Sequence, residues 1–180
     1  MIFTSLLRGI NVSGQKKILM SDLKALYESL GFENVRTYIQ SGNVVFYSEE
    51  INTKMIADKI VKKIFEHYNF DVPVLVITPE EINAALVGNP YLNENNVAIE
   101  KLYVTFLSEV PQEAHMNKID AALYAPDTFI VIDKVIYLQI GPEGYGNTKL
   151  SNSFFESKLK VKATTRNWKT IIALSKMYEV

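Results

Sequence analysis

Thr37-Tyr38-Ile39-Gln40-Ser41-Gly42-Asn43-Val44-Val45-Phe46 is the stretch on which the fold class turns. Val35, Thr37 and Ile39 alternate with Arg36, Tyr38 and Gln40. Beyond Ser41-Gly42, Val44 and Phe46 alternate with Asn43, Val45 and Tyr47. A period of two on both sides predicts two strands, and glycine supplies the positive φ that a tight connection needs. A two-residue Ser-Gly loop pairs Ile39 with Val44 and Thr37 with Phe46 on one face. The other face then carries Gln40 beside Asn43, Tyr38 beside Val45 and Arg36 beside Tyr47.

Working outward, Ile2 to Arg8 is apolar and strand-like and closes at Gly9. A loop rich in Gly, Asn and Ser follows. Ser21 then sits where a helix N-cap would, ahead of the stripe Leu23, Leu26, Tyr27 and Leu30, with Gly31 as the stop. After the hairpin, Ile56, Ile60, Val61, Ile64, Phe65 and Tyr68 mark a longer amphipathic helix. Val72 to Ile77 is a strand, with Pro73 at its start or edge. The order β-α-β-β-α-β predicts a ferredoxin-like half over residues 1–78, an antiparallel sheet with helices packed on one face.

Thr78 caps a short helix opening at Pro79, and residues 79–97 form a linking helix and loop. The polar run Asn93-Glu94-Asn95-Asn96 is the expected domain boundary. Residues 98–180 repeat the pattern as a second βαββα half. Strands are expected at Leu102–Leu107, Thr128–Ile132 and Val135–Ile140, and helices at Gln112–Leu123 and Thr148–Leu159. A basic loop and an extra C-terminal helix, from Asn167 to Tyr178, follow in place of a final strand. The whole is an α+β chain whose duplication is one of pattern, not of residues.

With 180 residues, 48% hydrophobic and 22% charged, the chain is sized and composed to build its own core. It has no cysteine, which removes thiol nucleophiles, disulfides and zinc–thiolate sites and suits a cytoplasmic setting. No positively charged leader precedes the first strand, and no apolar run approaches the roughly 20 residues of a membrane span. The net charge of −1 hides a gradient. Glu80 to Asp127 carries a net −6 and Tyr145 to Val180 a net +5. A basic end attracts phosphate, although such a run also serves as a solvated helix face.

The glycine-rich run Gly141 to Lys149 misses the P-loop spacing, because Asn147 rather than Lys follows Gly146. It reads as a turn before a helix. His67 and His115 stand alone on helices, so neither a zinc site nor a histidine triad is expected. No metal or other cofactor is expected. Neither a nucleophile nor a general base can be nominated, so the sequence leaves open whether the protein is an enzyme.

Two segments carry a resemblance. One is Leu6-Leu7-Arg8-Gly9-Ile10-Asn11-Val12, running through Lys17 and Met20 to the Thr37–Phe46 hairpin. The other is Tyr145-Gly146-Asn147-Thr148-Lys149-Leu150-Ser151-Asn152, followed by Ala163-Thr164-Thr165-Arg166-Asn167-Trp168. Together they resemble a bacterial family of uncharacterised function marked by an LRGINVGG start, a TYIQSGNV hairpin and an ATTRNW ending. The resemblance spans nearly the whole chain. It departs at Ser13, where the family has glycine, and at Leu19, where the family has proline. It implies a cytoplasmic α+β protein and brings no activity with it.

The residues inside these motifs form the candidate ligand set: Arg8, Asn11, Lys17, Gln40, Ser41, Asn43, Lys149, Asn152, Thr165, Arg166 and Asn167. Most are hydrogen-bond donors at the ends of elements, where binding groups gather. If they converge, they make a cationic, amide-rich cleft between the halves, suited to a phosphorylated or nucleotide-like small molecule. The competing account is structural. Arg8 and Arg166 then brace the fold, Asn167 caps the last helix, and Gln40, Ser41 and Asn43 serve the turn. Two other functions stay open. In a nucleic-acid-binding protein, Tyr38 and Tyr47 would stack bases beside Arg36. A non-catalytic interaction module would dimerise through an open sheet face.

Overall fold

The computed structural model describes residues 1–94 and 97–178. Asn95 and Asn96, half of the expected boundary run, lie outside the described residues. The chain divides into two compact units. One is Met1–Asn83 together with the C-terminal residues from Leu174 onward, and the other is Ala84–Ala173.

In the first unit the order is β1 (Ile2–Leu7), α1 (Met20–Ser29), β2 (Glu33–Tyr38), β3 (Asn43–Tyr47), α2 (Thr53–Tyr68) and β4 (Val74–Ile77). The antiparallel sheet is ordered β2-β3-β1-β4. Helices α1 and α2 cover one face. There Leu23, Leu26, Tyr27, Ile56, Ile60 and Ile64 pack on Phe3, Leu7, Val44 and Phe46. Burying each large apolar side chain is worth about 1.5–3 kcal/mol, which is why the periodic stripes foretold both helices. Inside this core the Tyr27 hydroxyl lies 2.7 Å from Ser5 Oγ. Burial pushes its pKa far above the ordinary phenol range.

The hairpin forms, with a corrected register. Thr37 pairs with Val44 and Tyr38 with Asn43, two residues from the expected alignment. A slip of two leaves every side chain on its expected face. The connection is four residues, Ile39 to Gly42, because Ile39 turns into the left-handed region at φ 48° and leaves the strand. The second sheet face is covered at its centre, while Arg36 and Tyr47 at its margin are exposed. Thr4, Leu6, Asn43, Val45 and Ile77 are buried on it, and the Tyr178 hydroxyl lies 2.6 Å from Thr4 Oγ1. Arg36 donates to the Met177 carbonyl.

Two cap expectations divide. Thr78 and Glu81 form a reciprocal capping box, at 2.9 and 3.3 Å, for α3 (Pro79–Val87). Ser21 does not cap α1. The helix begins two residues earlier, with Leu19 at the N-cap and no side chain capping it. Ser21 donates instead to Asp22.

The second unit runs β5 (Leu102–Leu107), α4 (Glu113–Met116), β6 (Thr128–Ile132), β7 (Val135–Gln139), α5 (Asn152–Leu159) and β8 (Ala163–Asn167), before α6 (Trp168–Lys176). The sheet order β6-β7-β5-β8 reproduces the first. So does the register. Leu7 pairs with Val74 as Leu107 pairs with Ala163, and Leu6 pairs with Asn43 as Phe106 pairs with Val135.

Three expectations change here. The basic loop before the last helix contains β8, so the second half also ends in a strand. The helix expected over Gln112–Leu123 shrinks to the single turn α4 and a 3-10 turn at Ala121–Tyr124; Leu123 is 71% exposed, so no continuous apolar face holds a longer one. Helix α5 begins at Asn152 rather than Thr148, because Ser151 caps it by accepting from the Phe154 N–H.

Candidate functional site

The loop after β1 is shaped by an unusual run of left-handed backbone. Gly9, Asn11, Ser13, Gly14 and Lys16 all have φ between 44° and 76°. Asn11 holds this loop in place. Its Nδ2 donates to the carbonyls of Ile18 and Gln40, each at 2.9 Å, while its Oδ1 accepts from the Ile18 N–H at 2.9 Å. One side chain therefore ties the β1–α1 loop to the hairpin tip. Asn43 does the equivalent work within the tip. It is fully buried, and its Nδ2 donates to the Tyr38 carbonyl and to Ser41 Oγ. Gly42, at φ 80°, sits beneath, and an added Cβ would lie 2.7 Å from Leu7 Cβ and 2.8 Å from Ile10 Cδ1.

Holding the loop and the tip together creates a groove of about 440 Å³, lined by Asn11, Gly14, Lys17, Ile18, Leu19, Met20, Asp22, Gln40 and Tyr68. Three members of the sequence-derived set, Asn11, Lys17 and Gln40, meet here. Lys17 and Gln40 are exposed. The start of α1 opens onto the groove at Leu19 and Met20. With no side-chain cap, its first-turn N–H groups favour an acceptor or a negative charge. The Tyr68 hydroxyl is buried and finds no hydrogen-bond partner among the described residues. Burial, and to a lesser extent the Asp22 carboxylate, raise its pKa, so it remains a neutral donor. A larger space of about 600 Å³ lies along β2 and β3, at Lys24, Glu28, Arg36 and Tyr47. It contains none of the sequence-derived set.

The remaining candidates are placed differently. Arg8 is half-buried at the end of β1, and its N–H donates to the Pro73 carbonyl. In the second unit, β8 sends Thr165 and Arg166 to opposite faces, as neighbours on any strand must go. Thr165 faces the helix side. It donates to Asn152 Oδ1 at 2.7 Å and lies 2.6 Å from Thr105 Oγ1, so Thr105 must donate to it. Arg166 pairs with Val104 on the other face, is 8% exposed and donates to the Thr165 carbonyl. Burial lowers its pKa to about 10. Asn167 caps α6, accepting from the Thr170 N–H at 2.8 Å, as the structural account expected. Lys149 is exposed on the loop before α5.

Sequence reasoning missed Asp22 and Tyr68 as groove residues. Tyr68 falls on the apolar stripe of α2, so periodicity assigns it to the core and says nothing of its hydroxyl. Asp22 reads as an ordinary first-turn acid. Nothing local to either residue signals a site.

Comparison with known proteins places the chain. Residues 1–137 match a protein family of unknown function, DUF1697, and the chain belongs to that family. The first two quoted motifs lie inside the matched segment, and the ATTRNW stretch lies beyond it. A solved structure of a conserved bacterial protein from Streptococcus pneumoniae shares the fold, with a TM-score of 0.68 at 23% identity. The match covers 99% of this chain and 98% of that one. Among curated proteins, no match was found. No helix among the described residues is long and apolar enough to cross a membrane.

Proposed function

We propose that this protein binds a phosphorylated or nucleotide-like small molecule in the groove of its first unit, and that it does so in the cytoplasm. The observation carrying this reading is the convergence of Lys17, Gln40 and the uncapped start of α1 on one concave surface that the Tyr68 side chain also lines. Lys17 supplies the charge, the first-turn N–H groups orient an anionic oxygen, and Gln40 adds an exposed amide. Asn11 and Asn43 position the walls, since their amide hydrogens are spent on the fold. Arg166 and Thr165 act on the stability of the second unit.

Thermal unfolding against sugar phosphates, nucleotides, inorganic phosphate and short oligonucleotides tests this. A ligand at 100 times Kd adds about 2.7 kcal/mol, a shift of roughly 5–10 °C for a chain of this size. Lys17→Ala, at an exposed position, is expected to abolish the shift without lowering the ligand-free Tm. Silence from every phosphorylated small molecule overturns the reading. A response confined to oligonucleotides and steeply weakened by salt transfers it to nucleic acid.

A further inference from the structure

The charges around the groove narrow the ligand further, given the binding reading above. Lys16 and Lys17 are adjacent, but only one serves the groove. The Lys16 ammonium is committed to the Asp71 carbonyl, while Lys17 is exposed and lines the cavity. On the same lining stands Asp22, exposed, with one carboxylate oxygen 3.2 Å from the Ser21 hydroxyl that donates to it. The space is about 440 Å³, enough for a ligand with a body as well as an anionic head. A second phosphoryl group on this lining would meet a carboxylate, and among the described lining residues no second Lys or Arg offsets it. A hydroxyl-bearing body meets the same carboxylate as a hydrogen-bond acceptor, with Gln40 on the same lining.

We infer that the groove selects a hydroxyl-bearing phosphate monoester over polyphosphates, and that Asp22 is the residue that sets this selectivity. Lys17 takes the single phosphoryl head. Asp22 accepts from the ligand's hydroxyls and repels a second phosphoryl group. The groove is therefore suited to sugar phosphates and nucleoside monophosphates.

Calorimetric titration of the full chain with glucose 6-phosphate, AMP, ADP and inorganic phosphate tests the assignment. The expected result is binding of at least one monoester about tenfold tighter than ADP. Asp22→Asn is expected to weaken the monoester and strengthen ADP, closing the gap to within about threefold, with the ligand-free Tm little changed. Should ADP bind the native protein as tightly as AMP while Lys17→Ala abolishes both, the selectivity is wrong and the binding groove stands. Should Asp22→Asn leave the ratio untouched, Asp22 is not its source. Should none of the four bind, the groove reading itself falls, and this inference with it.

Discussion

The two halves of this protein share strand order and register, yet they satisfy the same positions with different chemistry. Ser5 and Thr105 occupy the fourth residue of β1 and β5, both on the helix-facing side. Ser5 meets a phenol from α1, whereas Thr105 meets Thr165 on β8 and, through it, Asn152 on α5. Val76 stands in the first half where Thr165 stands in the second, and Ile77 where Arg166 stands. The first half is thus an apolar core with one buried hydroxyl pair beneath long helices. The second, with α4 reduced to one turn, carries a polar thread through its strands. A shared backbone frame fixes which side chains face each other. It does not fix whether the contact is made with carbon or with hydrogen bonds.

The hairpins sharpen the contrast most. In both halves a hairpin carbonyl accepts from the last residue of the central strand. Gly42 accepts from Leu7 at 2.8 Å, and Lys134 from Leu107 at 2.9 Å. Only the first needs glycine. Gly42→Ala forces a side chain into left-handed backbone, about 1–2 kcal/mol, and into a filled core, about 1–3 kcal/mol more. Lys134→Ala is expected to stay within about 0.5 kcal/mol. Denaturant midpoints of the two variants measure the difference, and equal effects would break the comparison.

A smaller effect is expected from the paired hydroxyls. Ser5→Ala strands the Tyr27 hydroxyl in the core, costing about 1–3 kcal/mol. Adding Tyr27→Phe should recover part of that loss, because both polar groups are then gone. Thr165→Val removes the link between Thr105 and Asn152 and is expected to cost a similar amount, with Thr105→Val as the compensating change. Double-mutant cycles in denaturant read both couplings. Strict additivity in either half would mean that its hydroxyls do not act as a pair.

The helix starts give the smallest expected changes, in opposite directions. Asn167→Ala removes the cap of α6 and is expected to cost about 1 kcal/mol. Leu19→Asp, at a position 69% exposed, supplies the cap that α1 lacks and is expected to add about 0.5–1 kcal/mol. The same variant places a negative charge at the groove, so any phosphate-induced rise in Tm should shrink as basal stability grows. A phosphate response undiminished by Leu19→Asp would place the anion away from α1.

Much of this was written locally in the chain. Alternation marked β2 and β3, and it assigned their faces correctly even though the register slipped by two, because a slip of two preserves parity. The turn demanded Gly42. Thr78 announced the cap of α3, and Asn167 announced the cap of the last helix. Each depends on residues a few positions apart, and short-range geometry is what a sequence displays directly. Of the candidate set, the chain's motifs pointed at Asn11, Lys17 and Gln40, which do share a groove. The motifs could not separate Asn11, whose amide is spent on the loop, from Lys17, whose charge is available.

Other features were decided only in three dimensions. Ala163-Thr164-Thr165-Arg166-Asn167 has no apolar alternation and reads as a basic loop. It becomes β8 because the backbone of β5 offers it a ladder of hydrogen bonds, and that partner is distant in the chain. The same holds for the groove. Asp22, Tyr68, Lys17 and Gln40 belong to four different elements or loops, and only their packing brings them onto one lining. Periodicity and turn chemistry thus marked most strands, the caps at Thr78 and Asn167, and the glycine of one turn. Long-range backbone pairing and side-chain convergence, which leave no local pattern, decided the last strand and the lining of the groove.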